Sequence, residues 1–277
     1  MNDKQPTVSV LMTAYNREKY IAEAIESVLN STYQDFELII VDDKSSDKTL
    51  FIANEYALKD SRIKVFSNEI NLGDYNNRNN AASKATGKYL KYVDSDDIIY
   101  PYSLAVMVDA MEKWPEASVG IISRIPQEEI PFPYLITPSE IFESHFFCDG
   151  CLDIGPLGFI LKRTSFIEFG GFSGKRFVGD TELLLGMALQ FSFVKIQSGL
   201  VYWRKHDTQE IREENKTSIR VTETKRIYTE ILYSDLCPLS KDKVAKIFRE
   251  LNYQSNKVML KRFLKARILT CKRLVKL

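Results

Sequence analysis

The chain of 277 residues is 44% hydrophobic and 27% charged, with 12 Gly and 9 Pro, which excludes a disordered, collagen-like or linker-dominated protein. At ~150 residues per domain, this length suits one large domain, alone or with an appendage. The net charge of +1 hides a split: residues 241–277 hold 12 Lys or Arg against 2 acids, and residues 1–240 hold 26 against 35, so an acidic body carries a basic tail.

Residues 7–13 (TVSVLMT) alternate and are β-branched, which predicts a strand, and Asn16 reads as the N-cap of a helix with Ile21, Ala24, Ile25, Val28 and Leu29 on one face. A second strand is predicted over FELIIV (36–41), followed by a helix from about Asp47 to Leu58. The alternation repeats with IKVF (63–66), a helix from about Asn76 stopped by Gly87, and KYLKYV (88–93). Pro101 then opens a helix that ends at Trp114. Buried strands separated by helices predict a doubly wound, mostly parallel sheet. After Ser118 the pattern loosens into a Pro-rich stretch. It resumes with GPLGFIL (155–161), a short helix after Arg163, a helix from Asp180 to about Phe191, and strands near 193–196 and 200–204.

Ligands of such sheets bind beyond the carboxyl ends of the strands, where four polar clusters fall: TAYN (13–16), VDDKSSD (41–47), VDSDD (93–97) and Gly179-Asp180. If the strand persists to Asp96, alternation points Asp94 and Asp96 one way and Ser95 the other, with Asp97 close by. Like charges that near each other call for a hard divalent cation, Mg²⁺ or Mn²⁺, with open positions for a diphosphate; the plainer reading is a polar turn before the Pro101 helix. Asp42 and Asp43 could accept from a ribose hydroxyl or base N–H, or cap the next helix. Tyr15 could stack on a base or pack half-buried, and Asp180 could simply cap its helix. His206, in VYWRKH, is a candidate metal ligand or phosphate donor among only two histidines. TAYNREKY carries no glycine, which disfavours a dinucleotide-dependent dehydrogenase, a Walker-type NTPase and a nucleotidyltransferase.

Taken in this order and at these separations, the clusters resemble the inverting family 2 glycosyltransferases of GT-A fold, over roughly residues 6–210. The likeness lies in VSVLMTAYNREKYIAEAIESVLNSTYQDFELIIVDDKSSDKT, NEINLGDYNNRNNAASKATGKYLKYVDSDDIIYP, GFILKRTSFIEFGGF, GDTELLLGMAL and LVYWRKH. It implies a Rossmann-like sheet flanked by helices over 1–212, with a nucleotide-sugar half (1–100), an acceptor half (101–212) and a helical basic tail (213–277). The resemblance places Thr13, Ala14, Tyr15, Asp43, Arg78, Asn79, Asp94 and Ser95 at the nucleotide-sugar. Asp96 and Asp94 would hold Mn²⁺ or Mg²⁺, with His206 a further candidate ligand. Asp180 would be the general base, with Glu182 as fallback because the family often has Glu-Asp where this chain has Gly179-Asp180. The activity implied is inverting, non-processive transfer of a sugar, with UDP the favoured nucleotide, onto a glycan or lipid-linked saccharide in cell-surface polysaccharide synthesis. A non-catalytic nucleotide-sugar-binding subunit is the alternative.

Four cysteines (Cys148, Cys151, Cys237, Cys271) are too few for a disulfide scaffold, and Cys148-x-x-Cys151 has no second pair to complete a zinc site. MNDKQPTV shows no signal-peptide core and no apolar run reaches the ~18 residues of a spanning helix, so a cytoplasmic protein is expected. From 256 to 277, Leu260, Phe263, Leu264, Ile268, Cys271, Leu274 and Val275 share one helical face and Lys or Arg fill the other. Such a helix would dock at the anionic inner face of the cell membrane or pack on the body. The acidic body argues against nucleic acid as the tail's partner.

Overall fold

The structure is a computed structural model describing residues 5–126, 129–175, 177–206 and 216–252. In chain order its first half runs β1 (Val8–Ala14), α1 (Ile21–Leu29), β2 (Phe36–Asp42), α2 (Thr49–Ala57), β3 (Ile63–Ser67), α3 (Asp74–Ser83), β4 (Tyr89–Tyr92), β5 (Ile98–Ile99) and α4 (Ser103–Lys113). The second half adds β6 (Val119–Ile122), β7 (Tyr134–Ile136), α5 (Pro138–Phe147), β8 (Phe159–Lys162), α6 (Arg163–Phe169), α7 (Gly179–Ala188), β9 (Phe193–Ile196), β10 (Val201–Tyr202) and α8 (Lys216–Leu232). Eight strands form one sheet in the order β3-β2-β1-β4-β8-β6-β9-β7, and β5 pairs with β10 in a two-stranded ribbon.

β1 to β4, β6 and β9 point the same way, whereas β8 is antiparallel to β4 and β6, and β7 to β9. All the parallel strands therefore end on one edge, where the polar clusters gather. Every side chain of β2 is buried because helices cover both faces, which is why FELIIV is a continuous apolar run rather than an alternating one. Alternate residues of that strand divide between two cores. Leu38 and Ile40 pack with α1 and α4, while Ile39 and Val41 pack with α3 and α7.

Two local expectations change. Asn16 does not cap α1: its φ is 52°, and its side-chain oxygen accepts from the Ser46 amide at 2.9 Å, which ties the loop after β1 to the loop after β2. The helix begins only at Ile21, after a turn in which the Arg17 carbonyl accepts from the Tyr20 and Ile21 amides. The β4 strand also stops at Tyr92, and the Asp97 amide donates to the Asp94 carbonyl at 3.0 Å. Asp94 to Asp97 thus form a tight turn, so strand alternation does not orient the acids.

Within 213–277, the described portion joins the body. Ile227 and Leu232 of α8, with Leu239, Val244 and Ile247, are buried in the same core as α7, and residues 241–252 are helical. The amphipathic stretch 256–277 lies outside the described residues.

Candidate functional site

The loops at the sheet edge are fastened to one another by side chains of small reach. The Asn16 amide donates to Ser45 Oγ at 2.9 Å, the Arg17 amide to Thr49 Oγ1 at 2.7 Å, and Ser95 Oγ to the Thr13 carbonyl at 2.9 Å. Thr13 and Ala14 thereby act through their backbone, since the Ala14 carbonyl takes the Asp43 amide. Tyr15 is half exposed, its ring open at the end of β1. Asp43 is buried and saturated on one side: its carboxylate accepts from Asn68 Nδ2 at 2.7 Å and from the Leu72 and Gly73 amides at 2.8 and 2.9 Å. It thus shapes the 68–73 loop as well as facing the edge. Its neighbour Asp42 takes the Ser45 amide on Oδ2 and leaves Oδ1 buried without a hydrogen-bond partner.

The Asp94 to Asp97 turn gathers cations. Arg78 is buried on α3 and lies 2.8 Å from Asp74 and 2.7 Å from Asp94; the second contact is a charge attraction, too bent for a directed hydrogen bond. Asp96 Oδ2 receives Arg17 Nε at 2.8 Å and His206 Nε2 at 3.0 Å. Asp97 is buried and accepts the Arg204 amide at 2.8 Å, while Arg204 Nε reaches the Asp96 carbonyl at 3.0 Å. Burial, with Asp94 and Asp96 beside it, pushes the Asp97 carboxyl up to about 7. Beneath the turn, fully buried Lys91 donates to the carbonyls of Leu157 and Phe159, and burial lowers its ammonium to about 7. Sequence reading singled out the acids but not Arg17, Lys91 or Arg204. A lone basic residue in a loop or strand carries no signal of the acid it meets.

Asn79 lies on α3 as expected, but its amide clasps the Phe172 backbone, donating to the carbonyl at 2.7 Å and accepting the amide at 3.0 Å. Asp180 sits in the first turn of α7. Its Oδ1 accepts the Thr181 amide at 2.8 Å and the Tyr75 hydroxyl at 3.3 Å. Burial raises the Asp180 carboxyl, opposed by the Thr181 amide, Arg220, Arg78 and Tyr75. Glu182 faces a different setting, bound by Ser173 Oγ and Lys175 Nζ. One helix therefore joins the two groups of acids: α3 presents Arg78 to Asp94 and Tyr75 to Asp180.

The family profile for glycosyl transferase family 2 matches residues 9–170, more than half of the chain and inclusive of the Asp94 to Asp97 turn. The chain belongs to glycosyl transferase family 2. A relative in Escherichia coli, UDP-Glc:alpha-D-GlcNAc-diphosphoundecaprenol beta-1,3-glucosyltransferase WfgD, is 42% identical over 106 residues, 38% of this chain and 41% of that protein. Across four other similar curated relatives the match spans 33 to 39% of their length. Among solved structures, Staphylococcus aureus TarS 1-349 in complex with UDP-GlcNAc superposes with a TM-score of 0.69 at 22% identity, covering 88% of this chain and 71% of the TarS 1-349 chain. The mannosyltransferase PcManGT of Pyrobaculum calidifontis, in complex with GDP-Man and Mn²⁺, gives 0.65 at 16%, covering 85% and 67%. These likenesses establish the GT-A fold.

The donor set suits a divalent ion on its own chemistry. A carboxylate oxygen and an imidazole nitrogen 3.0 Å apart can share one octahedral ion, since ligand bonds of about 2.1 Å at right angles span that distance. Among the described residues no three His, Cys, Asp or Glu side chains cluster to enclose a metal. An ion held by this pair would need further oxygen ligands, such as the phosphate oxygens of a nucleotide. No described helix is long and apolar enough to cross a membrane.

Proposed function

We propose that this protein transfers a sugar from a nucleoside diphosphate, UDP foremost, to a hydroxyl of a glycan or lipid-linked saccharide, with inversion at the anomeric carbon. The observation that carries the reading is the pairing made by α3: cation-neutralised acids at Asp94 and Asp96 on one side, and a largely uncompensated acid at Asp180 on the other. Two relatives, WfgD by its name a UDP-Glc transferase and TarS seen with UDP-GlcNAc, support UDP.

In this reading Asp96 and His206 hold Mn²⁺ or Mg²⁺, as the Mn²⁺ in PcManGT suggests by analogy. The ion supplies Lewis-acid stabilisation of the diphosphate leaving group. Arg78 fixes Asp94 toward the ribose, Tyr15 offers its open ring to the base, and Asp43 keeps one lone pair of Oδ2 for the base edge. Asp180 takes the proton of the attacking hydroxyl, because its raised proton affinity suits a base and Glu182 is held by Lys175. Single displacement then converts an α-linked donor to a β-linked product. The Pro-rich stretch 123–153 is assigned to acceptor recognition, and the basic stretch 256–277 to an anionic membrane surface.

A thermal-shift panel of UDP, GDP, dTDP and CDP, each with Mn²⁺, Mg²⁺ or EDTA, tests the donor site. Stabilisation by one nucleotide only with metal is expected, because a ligand that binds only the folded state raises its stability. No shift with any nucleotide, or retained configuration in the product by NMR, would overturn the corresponding part.

A further inference from the structure

Tyr75 is buried on α3, 105 residues from Asp180, yet it meets the start of α7 in two ways. Its hydroxyl donates to Asp180 Oδ1, and its ring lies flat against Gly179. A Cβ built on Gly179 would come within 2.8 to 2.9 Å of three carbons of that ring, closer than carbon atoms pack. Gly179 is therefore small because Tyr75 occupies the space above it. The Phe172 ring also packs against it, tilted by 33° at a centroid distance of 5.1 Å.

With Oδ1 occupied by the Thr181 amide and the Tyr75 hydroxyl, the carboxylate is held in one orientation. We propose that Tyr75 is a positioning residue for proton acceptance at Asp180: its ring, seated on Gly179, sets the first turn of α7, and its hydroxyl holds Oδ1 so that Oδ2 meets the acceptor hydroxyl. This rests on the reading of Asp180 as the base. As the acceptor oxygen bonds the anomeric carbon, the bond from that carbon to the diphosphate oxygen breaks, the nucleoside diphosphate leaves with its electron pair, and the proton of the acceptor hydroxyl goes to Oδ2.

The titrating and charged groups that face Asp180 are Tyr75 and Arg78 from α3 and Arg220 from α8. On α7 itself, Glu182 is paired with Lys175. Of these, only Tyr75 can be altered by one atom without changing net charge. A hydroxyl that donates to a carboxylate stabilises its ionised form, so removing it makes Asp180 hold its proton more tightly.

The test is a carboxyl ¹³C NMR titration of the full chain labelled at aspartate, with the Asp180 signal assigned from Asp180→Asn. In Tyr75→Phe, which keeps the ring on Gly179, the Asp180 midpoint should move up by about 0.5 to 1 on the pH scale. In Gly179→Ala, where the ring must shift, it should move the same way. In parallel, UDP release from UDP-glucose and UDP-N-acetylglucosamine with Mn²⁺ is measured. Tyr75→Phe should lower kcat about tenfold at unchanged KM for the donor, with the acidic limb of the rate displaced upward. An unmoved Asp180 midpoint in Tyr75→Phe overturns the proposal, whether or not either donor is turned over. Full activity in Asp180→Asn would instead overturn the assignment of the base, with the Tyr75 midpoint shift still readable.

Discussion

Asp94 and Asp96 at the end of β4 and Asp180 at the start of α7 share one chemistry and are treated in opposite ways. Asp94 and Asp96 meet Arg78, Arg17 and His206, so charge withdrawn from water is offset by charge, while their neighbour Asp97, buried and held by the Arg204 backbone amide, rises as Asp180 does. Asp180 is held directly by two neutral donors, an amide and a phenol, and burial raises its carboxyl against them. Surroundings decide what each acid can do. A carboxylate beside cations suits ion and diphosphate binding, whereas one whose proton affinity burial has raised suits base catalysis.

The largest effect should follow from removing the second kind of acid. Asp180→Asn should lower kcat by a factor on the order of 10³ to 10⁴ while nucleotide affinity is unchanged, as read by turnover and by calorimetric titration of UDP with Mn²⁺. Its pH dependence follows from the same burial. The base must be ionised to act, so the acidic limb of wild-type turnover should lie above the ordinary carboxylate range, with activity lost as pH falls through it. A limb near 4 would remove the contrast between the two acids. On the cation-rich side, Arg78→Gln leaves Asp74 and Asp94 facing each other without their shared partner, and should cost about 3 to 5 kcal/mol in urea unfolding. Adding Asp94→Asn should recover part of that loss. Asp96→Asn should abolish the metal-dependent part of the nucleotide thermal shift and reduce kcat about 10²-fold, because the proposed ion loses its one carboxylate ligand and keeps only His206. A metal-dependent shift that survives would move the ion away from Asp96.

The sheet was legible because its signals are local. β-Branched runs followed by amphipathic helices give β1 to β4, and acids at strand ends mark the edge where ligands sit. In the second half β8, α6, α7, β9 and β10 also fall where strands and helices are expected, whereas β7 and the reversal of β8 were not legible, since they depend on pairing with strands far away in the chain. The acids Asp94, Asp96 and Asp180 stood out by type and position, as did Arg78 and His206, but Arg17 and Tyr75 did not. Arg17 meets Asp96 across 79 residues and Tyr75 meets Asp180 across 105, and no spacing rule joins such positions. Asn16 misled because Asn serves equally as a helix cap and as a residue tolerant of positive φ; here the 52° backbone and the Ser46 contact decide for the second.

The smallest of the effects sharpens the contrast from below. Lys91 is a cation under the acid turn that no carboxylate touches directly; its partners are the Leu157 and Phe159 carbonyls that anchor the turn before β8. Burial lowers its ammonium from 10.5 to about 7, against the pull of Asp94 and Asp97. Between those two values the unfolded chain holds a proton that the folded chain has released, so stability rises with pH across that window. Lys91→Met abolishes this rise and also leaves two buried carbonyls without their donor, at a cost of about 1 to 3 kcal/mol. The stability gap between wild type and Lys91→Met should therefore widen by about 2 kcal/mol from pH 7 to pH 9 in urea unfolding. A gap independent of pH would mean that Lys91 stays charged, and that the acids above it compensate it as fully as Arg78 compensates Asp94.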